Sequence, residues 1–99
     1  MLVVPVAALP NQTLNVALGG QSVTLHLFQR RTGLFLDLYV NNALVLGGMI
    51  ARDRTMFVRD AYWDFVGDLA FFDTEGTSDP TYDGLGGRYL LAYLEAADL

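Results

Sequence analysis

Apolar and polar positions alternate with period two through much of this chain, most clearly between Ser22 and Ile50. Val23, Leu25 and Leu27 alternate with Ser22, Thr24 and His26. Leu34, Leu36, Leu38 and Val40 then share one face, and Phe35, Asp37 and Tyr39 share the other. A helix would scatter these aliphatic residues around its circumference, so the pattern predicts strands with a buried and an exposed face. Gln29-Arg30-Arg31-Thr32-Gly33 reads as the loop between the first two strands. Asn41-Asn42 reads as a two-residue hairpin turn, because Asn tolerates the left-handed backbone such a turn needs. Ala43 to Ile50 is almost wholly apolar, which predicts a strand buried on both faces. Its Gly47-Gly48 pair predicts a bulge or a close backbone approach.

On either side of this meander the pattern is shorter. Leu2 to Val6 reads as a strand, placed at an edge because Pro5 has no amide to donate. Pro10-Asn11-Gln12 reads as a turn, Leu14 to Leu18 as a strand, and Gly19-Gly20 as its close. Beyond Ile50, Arg59 to Val66 reads as a loop with a short extended piece, or a helical turn around Tyr62 to Val66. Leu69 to Phe72 and Arg88 to Leu94 read as further strands, and Glu95 to Leu99 as a tail. Between them, Asp79 can cap a short helical turn, with Pro80 at its first position and Gly86 at its end. Six or seven short strands with one helical turn, in a single β domain spanning residues 1–99, predict an all-β fold. It is a small antiparallel barrel or a sandwich, and the pattern leaves both open.

Composition sharpens this picture. Hydrophobic residues make up 53% of the 99-residue chain before its 10 glycines are counted. An ordinary soluble domain reaches about 45–50% with glycine included. So small a domain cannot bury all of that surplus, which predicts self-association or an obligate partner. No apolar run is long enough to span a membrane as a helix. The apolar opening lacks a basic flank and is cut by Pro5 and Pro10, so it does not read as a signal peptide. The absence of cysteine removes disulfide and thiol chemistry and fits assembly in a cytoplasm. A net charge of −5, with no basic run, argues against binding nucleic acid through its phosphates.

Few residues offer chemistry. His26 is the only histidine, lies on the polar face of its strand, and has neither Cys for a zinc site nor a Ser in a nucleophile-elbow context. Asp73, Glu75, Asp79 and Asp83 form an acidic cluster of the kind that holds hard cations, but without EF-hand spacing; it reads as a solvated loop with a helix cap. A glycosidase pair would need a larger cleft than this chain readily builds. Gly84-Leu85-Gly86-Gly87 lacks the Lys-Ser/Thr and long helix of a phosphate loop. These residues predict neither an enzyme nor a cofactor or metal site. Phe57, Tyr62, Trp63 and Phe65 lie beside Arg52, Arg54 and Arg59, the residue mix that interface cores favour. The same rings would serve equally to cap the open end of a small core. Stacking on single-stranded nucleic acid uses that mix too, but Asp53, Asp60, Asp64 and Asp68 offset the positive charge. Phe57, Arg59, Tyr62 and Trp63 are the expected protein-contact residues. A small carbohydrate-binding β module that uses exposed aromatics is the alternative.

Several pieces together resemble a known family. They are Pro10-Asn11-Gln12 after a short first strand, Phe35-Leu36-Asp37-Leu38 after a glycine loop, Asp79-Pro80-Thr81-Tyr82-Asp83, Leu85-Gly86, Arg88, and the closing Leu91-Ala92-Tyr93-Leu94. In order and total length the chain is similar to the small baseplate plug proteins of contractile-tailed phages, known from a cyanophage baseplate. The resemblance spans most of the chain and is weakest over Arg52 to Asp68. It implies a non-enzymatic structural protein of the virion, assembled in the host cytoplasm and seated in the central channel of the tail baseplate. Hub and tail-tube proteins would be its neighbours, with the end of the tape measure protein as a further candidate. Surplus apolar surface suits such an assembly component. Acidic charge suits a conduit that DNA must pass without sticking.

Overall fold

In the computed structural model, which describes residues 2–58 and 67–95, the chain forms two antiparallel sheets packed face to face. The strands are β1 (Leu2–Val4), β2 (Asn11–Leu18), β3 (Gln21–Arg30), β4 (Gly33–Val40), β5 (Ala43–Ile50), β6 (Asp68–Asp73) and β7 (Tyr89–Leu94). β2 to β5 form one sheet in sequence order, and the other has the order β1-β7-β6. Among the described residues the sheets do not close on each other, so the architecture is a sandwich rather than a barrel.

The alternation translates directly into layers. Val23, Leu25 and Leu27 from β3 and Leu34, Leu36 and Leu38 from β4 are completely buried. They meet Val4, Leu69, Phe71, Leu91 and Tyr93 of the other sheet in one hydrophobic cluster. Two hairpins are set by residues with left-handed backbone. Gly19 and Gly20 have φ of 58° and 76°, and Asn41 and Asn42 have 52° and 68°. Positive φ at both central residues gives the turn twist that antiparallel neighbours need.

At several points the structure departs from the pattern. Asn11 and Gln12 belong to β2 rather than to a turn, because they pair in register with Phe28 and Leu27. The loop between β3 and β4 is only Arg31-Thr32, since Arg30 pairs with Gly33. β5 is not buried on both faces. It is an edge strand: Leu46 enters the core, but Leu44 is 58% exposed. The helical turn is a 3-10 turn of Tyr82–Gly84 with Thr81 at its N-cap position and no side-chain cap. Asp79 is drawn away instead by the main chain of Asp53, whose amide it accepts at 2.9 Å.

The predicted bulge is present. Leu36 pairs with Met49 and Leu38 with Leu46, so Gly47 and Gly48 stand opposite the single residue Asp37. Asp37 Oδ1 accepts the Gly48 amide at 2.7 Å, which satisfies a donor that the bulge takes out of the ladder.

Candidate interaction surfaces

Phe57 is the one expected contact residue within the described residues; Arg59, Tyr62 and Trp63 lie outside them. Phe57 is 3% exposed and packs edge-to-face on Phe71, with ring centroids 5.9 Å apart. Its amide donates to the Leu69 carbonyl at 3.0 Å. Phe57 therefore anchors the chain that leads into residues 59–66.

Both ends of that span are held by one buried carboxylate. Asp68 Oδ1 accepts the amides of Val58, at 2.8 Å, and of Leu69, at 2.7 Å. Asp68 itself is 3% exposed. A buried carboxylate persists only when its lone pairs are satisfied, so Asp68 fixes the neck of the 59–66 span.

The acidic loop is similarly occupied from within. Arg88 makes a forked pair with Asp73, Nε to Oδ1 and Nη2 to Oδ2, both at 2.9 Å. The amides of Glu75 and Ser78 also donate to Asp73, at 2.9 and 2.8 Å. Asp73 is 1% exposed. The Arg88 guanidinium and these amides hold its carboxyl well below the usual carboxylate range, although burial alone would raise it. Asp53 accepts the Asp73 amide at 2.8 Å, and Arg52 lies 3.5 Å from Asp79. Arg54 bonds the carbonyls of Asp73 and Gly76. These carboxylates address amides and guanidinium groups, and no metal-binding cluster of three or more His or acidic side chains occurs among the described residues. Sequence reasoning missed these latches. Their only local signal is an Asp three residues before a turn former, as in Asp73-Thr74-Glu75-Gly76.

On the outer face of the four-stranded sheet, His26 Nδ1 lies 3.2 Å from Asp37 Oδ2 and Nε2 lies 2.9 Å from Asn11 Oδ1. The two ring nitrogens are thus taken up by structural neighbours. Phe28 stacks against Phe35 at 5.8 Å and against His26 at 5.0 Å, with the Arg30 guanidinium 4.7 Å from the Phe28 ring centre. A shallow depression beside them is lined by Thr13, Thr24, His26, Tyr39 and Asn42.

The sheet edges remain. A family model described as the cyanophage baseplate Pam3 plug gp18 matches residues 1–96. The chain belongs to this plug family. No curated protein matches it. Family membership makes it a structural protein of a phage tail baseplate, working against other baseplate proteins. The edges of both sheets carry main-chain donors and acceptors of the kind that a neighbouring strand can complete. β6 is the best covered, since the amides of Arg54 and Phe57 donate to the Phe71 and Leu69 carbonyls. β1 is three residues long and stops at Pro5. Leu2, Val3 and Leu9 around it are about half exposed, at 49%, 50% and 50%.

Proposed function

We propose that this protein closes and organises the central channel of the tail baseplate at the hub, as a non-enzymatic part of the virion assembled in the host cytoplasm. The family match over nearly the whole chain carries this reading. Two physical features support it. The net charge of −5 repels the DNA that a tail conduit must pass. Apolar side chains left exposed at Leu2, Val3, Leu9, Leu44 and Met56 fit a protein whose surface is completed by neighbours.

Hub and tail-tube proteins are the proposed partners, with the end of the tape measure protein against the same plug, and the protein is proposed to act as a homo-oligomer or in an obligate complex. The proposed contacts are Arg59, Tyr62 and Trp63, on the span whose neck Asp68 holds and whose entry Phe57 anchors. The experiment is co-purification with the hub proteins of the same phage. Replacing Tyr62 and Trp63 together with Ala should abolish it while thermal stability is retained. Unchanged co-purification would remove this segment from the interface.

A further inference from the structure

Among the described residues, β2 alone of the four sheet edges is left without protection. β6 is covered by main-chain bonds from Arg54 and Phe57. β1 ends after three residues at a proline. β5 is bent by the Gly47-Gly48 bulge, which blunts an edge against further pairing. β2 runs eight residues, Asn11–Leu18, in unbroken register with β3. It contains no charge, no proline and no glycine.

The register identifies its free groups. Leu18 and Gln21 flank a two-residue turn and so exchange hydrogen bonds, and bonding then alternates along the ladder. Val16, Leu14 and Gln12 therefore point their amides and carbonyls at β3. Asn11, Thr13, Asn15 and Ala17 point theirs outward, and among the described residues none of those four amides donates elsewhere. The side chains of Asn11 and Asn15 are engaged with His26 and Thr24 of β3, which ties this strand to its neighbour.

We propose that the β2 edge pairs with the β2 edge of a second copy, antiparallel, about a two-fold axis through Leu14. In this register Asn11 faces Ala17 of the second copy and Thr13 faces its Asn15, so all four outward-facing residues find partners. Leu14 then meets its own counterpart in a non-hydrogen-bonded pair, and Gln12 meets Val16. Leu14 and Val16 are only partly buried against the core in one copy, and this pairing covers them. The self-complementary register about Leu14 favours a second copy, and charge selects this side of it. From Met1 to Gln29 there is no Asp, Glu, Lys or Arg, and every acidic residue but Asp37 lies beyond Ala51. Two copies with net charge −5 repel least where they meet through this neutral edge. The result is a continuous eight-stranded sheet. This deepens the self-association reading above, and rests on it for why an open edge is retained.

The chain has no cysteine, so single engineered thiols report the register directly. Leu14→Cys should form a covalent dimer under mild oxidation, because only the residue on the axis faces itself at disulfide distance. Gln12→Cys and Val16→Cys should each stay uncrosslinked alone and crosslink when the two proteins are mixed. Asn15→Pro removes one outward amide and no main-chain bond to β3; its one other loss is the side-chain bond from Thr24. It should convert a dimer, measured by sedimentation across a dilution series, into a folded monomer. A wild-type monomer at every concentration, an uncrosslinked Leu14→Cys, or a dimer that survives Asn15→Pro would each overturn the proposal. Co-purification with hub proteins is scored separately, so the baseplate reading can stand when the β2 pairing fails, and the reverse.

Discussion

The main-chain amide of Val58 donates to Asp68 Oδ1 at 2.8 Å, and the amide of Leu69 donates to the same oxygen at 2.7 Å. One carboxylate therefore ties together Val58 and Leu69, the two flanks of the 59–66 span. Asp68→Ala leaves both amides without an acceptor. Each buried donor left unpaired costs about 1–3 kcal/mol. Asp68→Asn keeps an acceptor oxygen and should lose less. Urea unfolding of the three proteins checks the order, wild type above Asn above Ala.

Acid should destabilise the protein through Asp73. Its folded carboxyl sits well below the usual range because Arg88 and the Glu75 and Ser78 amides bond the charged form. In the unfolded chain it titrates near 4. A depressed folded pKa gives stability that is present above the unfolded value and is lost as pH falls through the folded one. Stability should thus decline steadily below about pH 4. Arg88→Gln should weaken the fold at neutral pH and flatten this decline, since the folded carboxyl moves back toward its ordinary range. Chemical denaturation at a series of pH values from 7 down to 2 reads both effects.

What the sequence makes legible is set by periodicity. Leu34, Leu36 and Leu38 alternate with Phe35 and Asp37, and a two-residue period admits one assignment of faces, so this hairpin and its core were readable. Gly47-Gly48 announced the bulge because two glycines inside an otherwise apolar strand have no side chains to pack and mark an irregularity. β5 misled because an apolar run reads as buried, whereas position in the sheet decides burial, and at this edge Leu44 is exposed. The carboxylate latches were hidden for a different reason. Asp68 reaches the Val58 amide and Asp73 the Arg88 guanidinium, partners that come close only after the chain folds, so no spacing in the sequence carries those two bonds. The mix of aromatic and Arg residues around Arg59, Tyr62 and Trp63 remains a proposal, since those three residues lie outside the described ones. The free β2 edge was not legible, because it depends on which strands lack a neighbour.

The two glycines of the first hairpin should respond differently to substitution. Both have positive φ, so alanine is strained at either. A Cβ on Gly20 meets nothing within 4 Å, whereas one on Gly19 runs into the Tyr93 hydroxyl. Gly20→Ala should cost about 1 kcal/mol, the scale of the left-handed penalty alone. Gly19→Ala should cost distinctly more, because the fully buried Tyr93 has little room to retreat. Thermal melts of both variants against wild type check the difference, and equal losses would exclude the Tyr93 contact as its source.

Tyr93 also sets the alkaline limit. It comes from β7, is 1% exposed, and reaches the Gly19 turn of the opposite sheet. Burial pushes its phenol above the ordinary value, with the charge of Glu95 adding to the shift. A raised folded pKa means that stability is complete below the unfolded value and is lost as pH rises through the folded one. The unfolded chain ionises this group near pH 10, while the folded protein must hold it neutral. Stability should therefore begin to fall near pH 10 and continue falling above it. Tyr93→Phe removes the ionising group, so its stability should depend less on pH in that range, although its stability at pH 7 differs from wild type. Urea midpoints at pH 7, 9, 10 and 11 for both proteins measure this. An equally steep alkaline decline in Tyr93→Phe would place its origin in another tyrosine or an arginine.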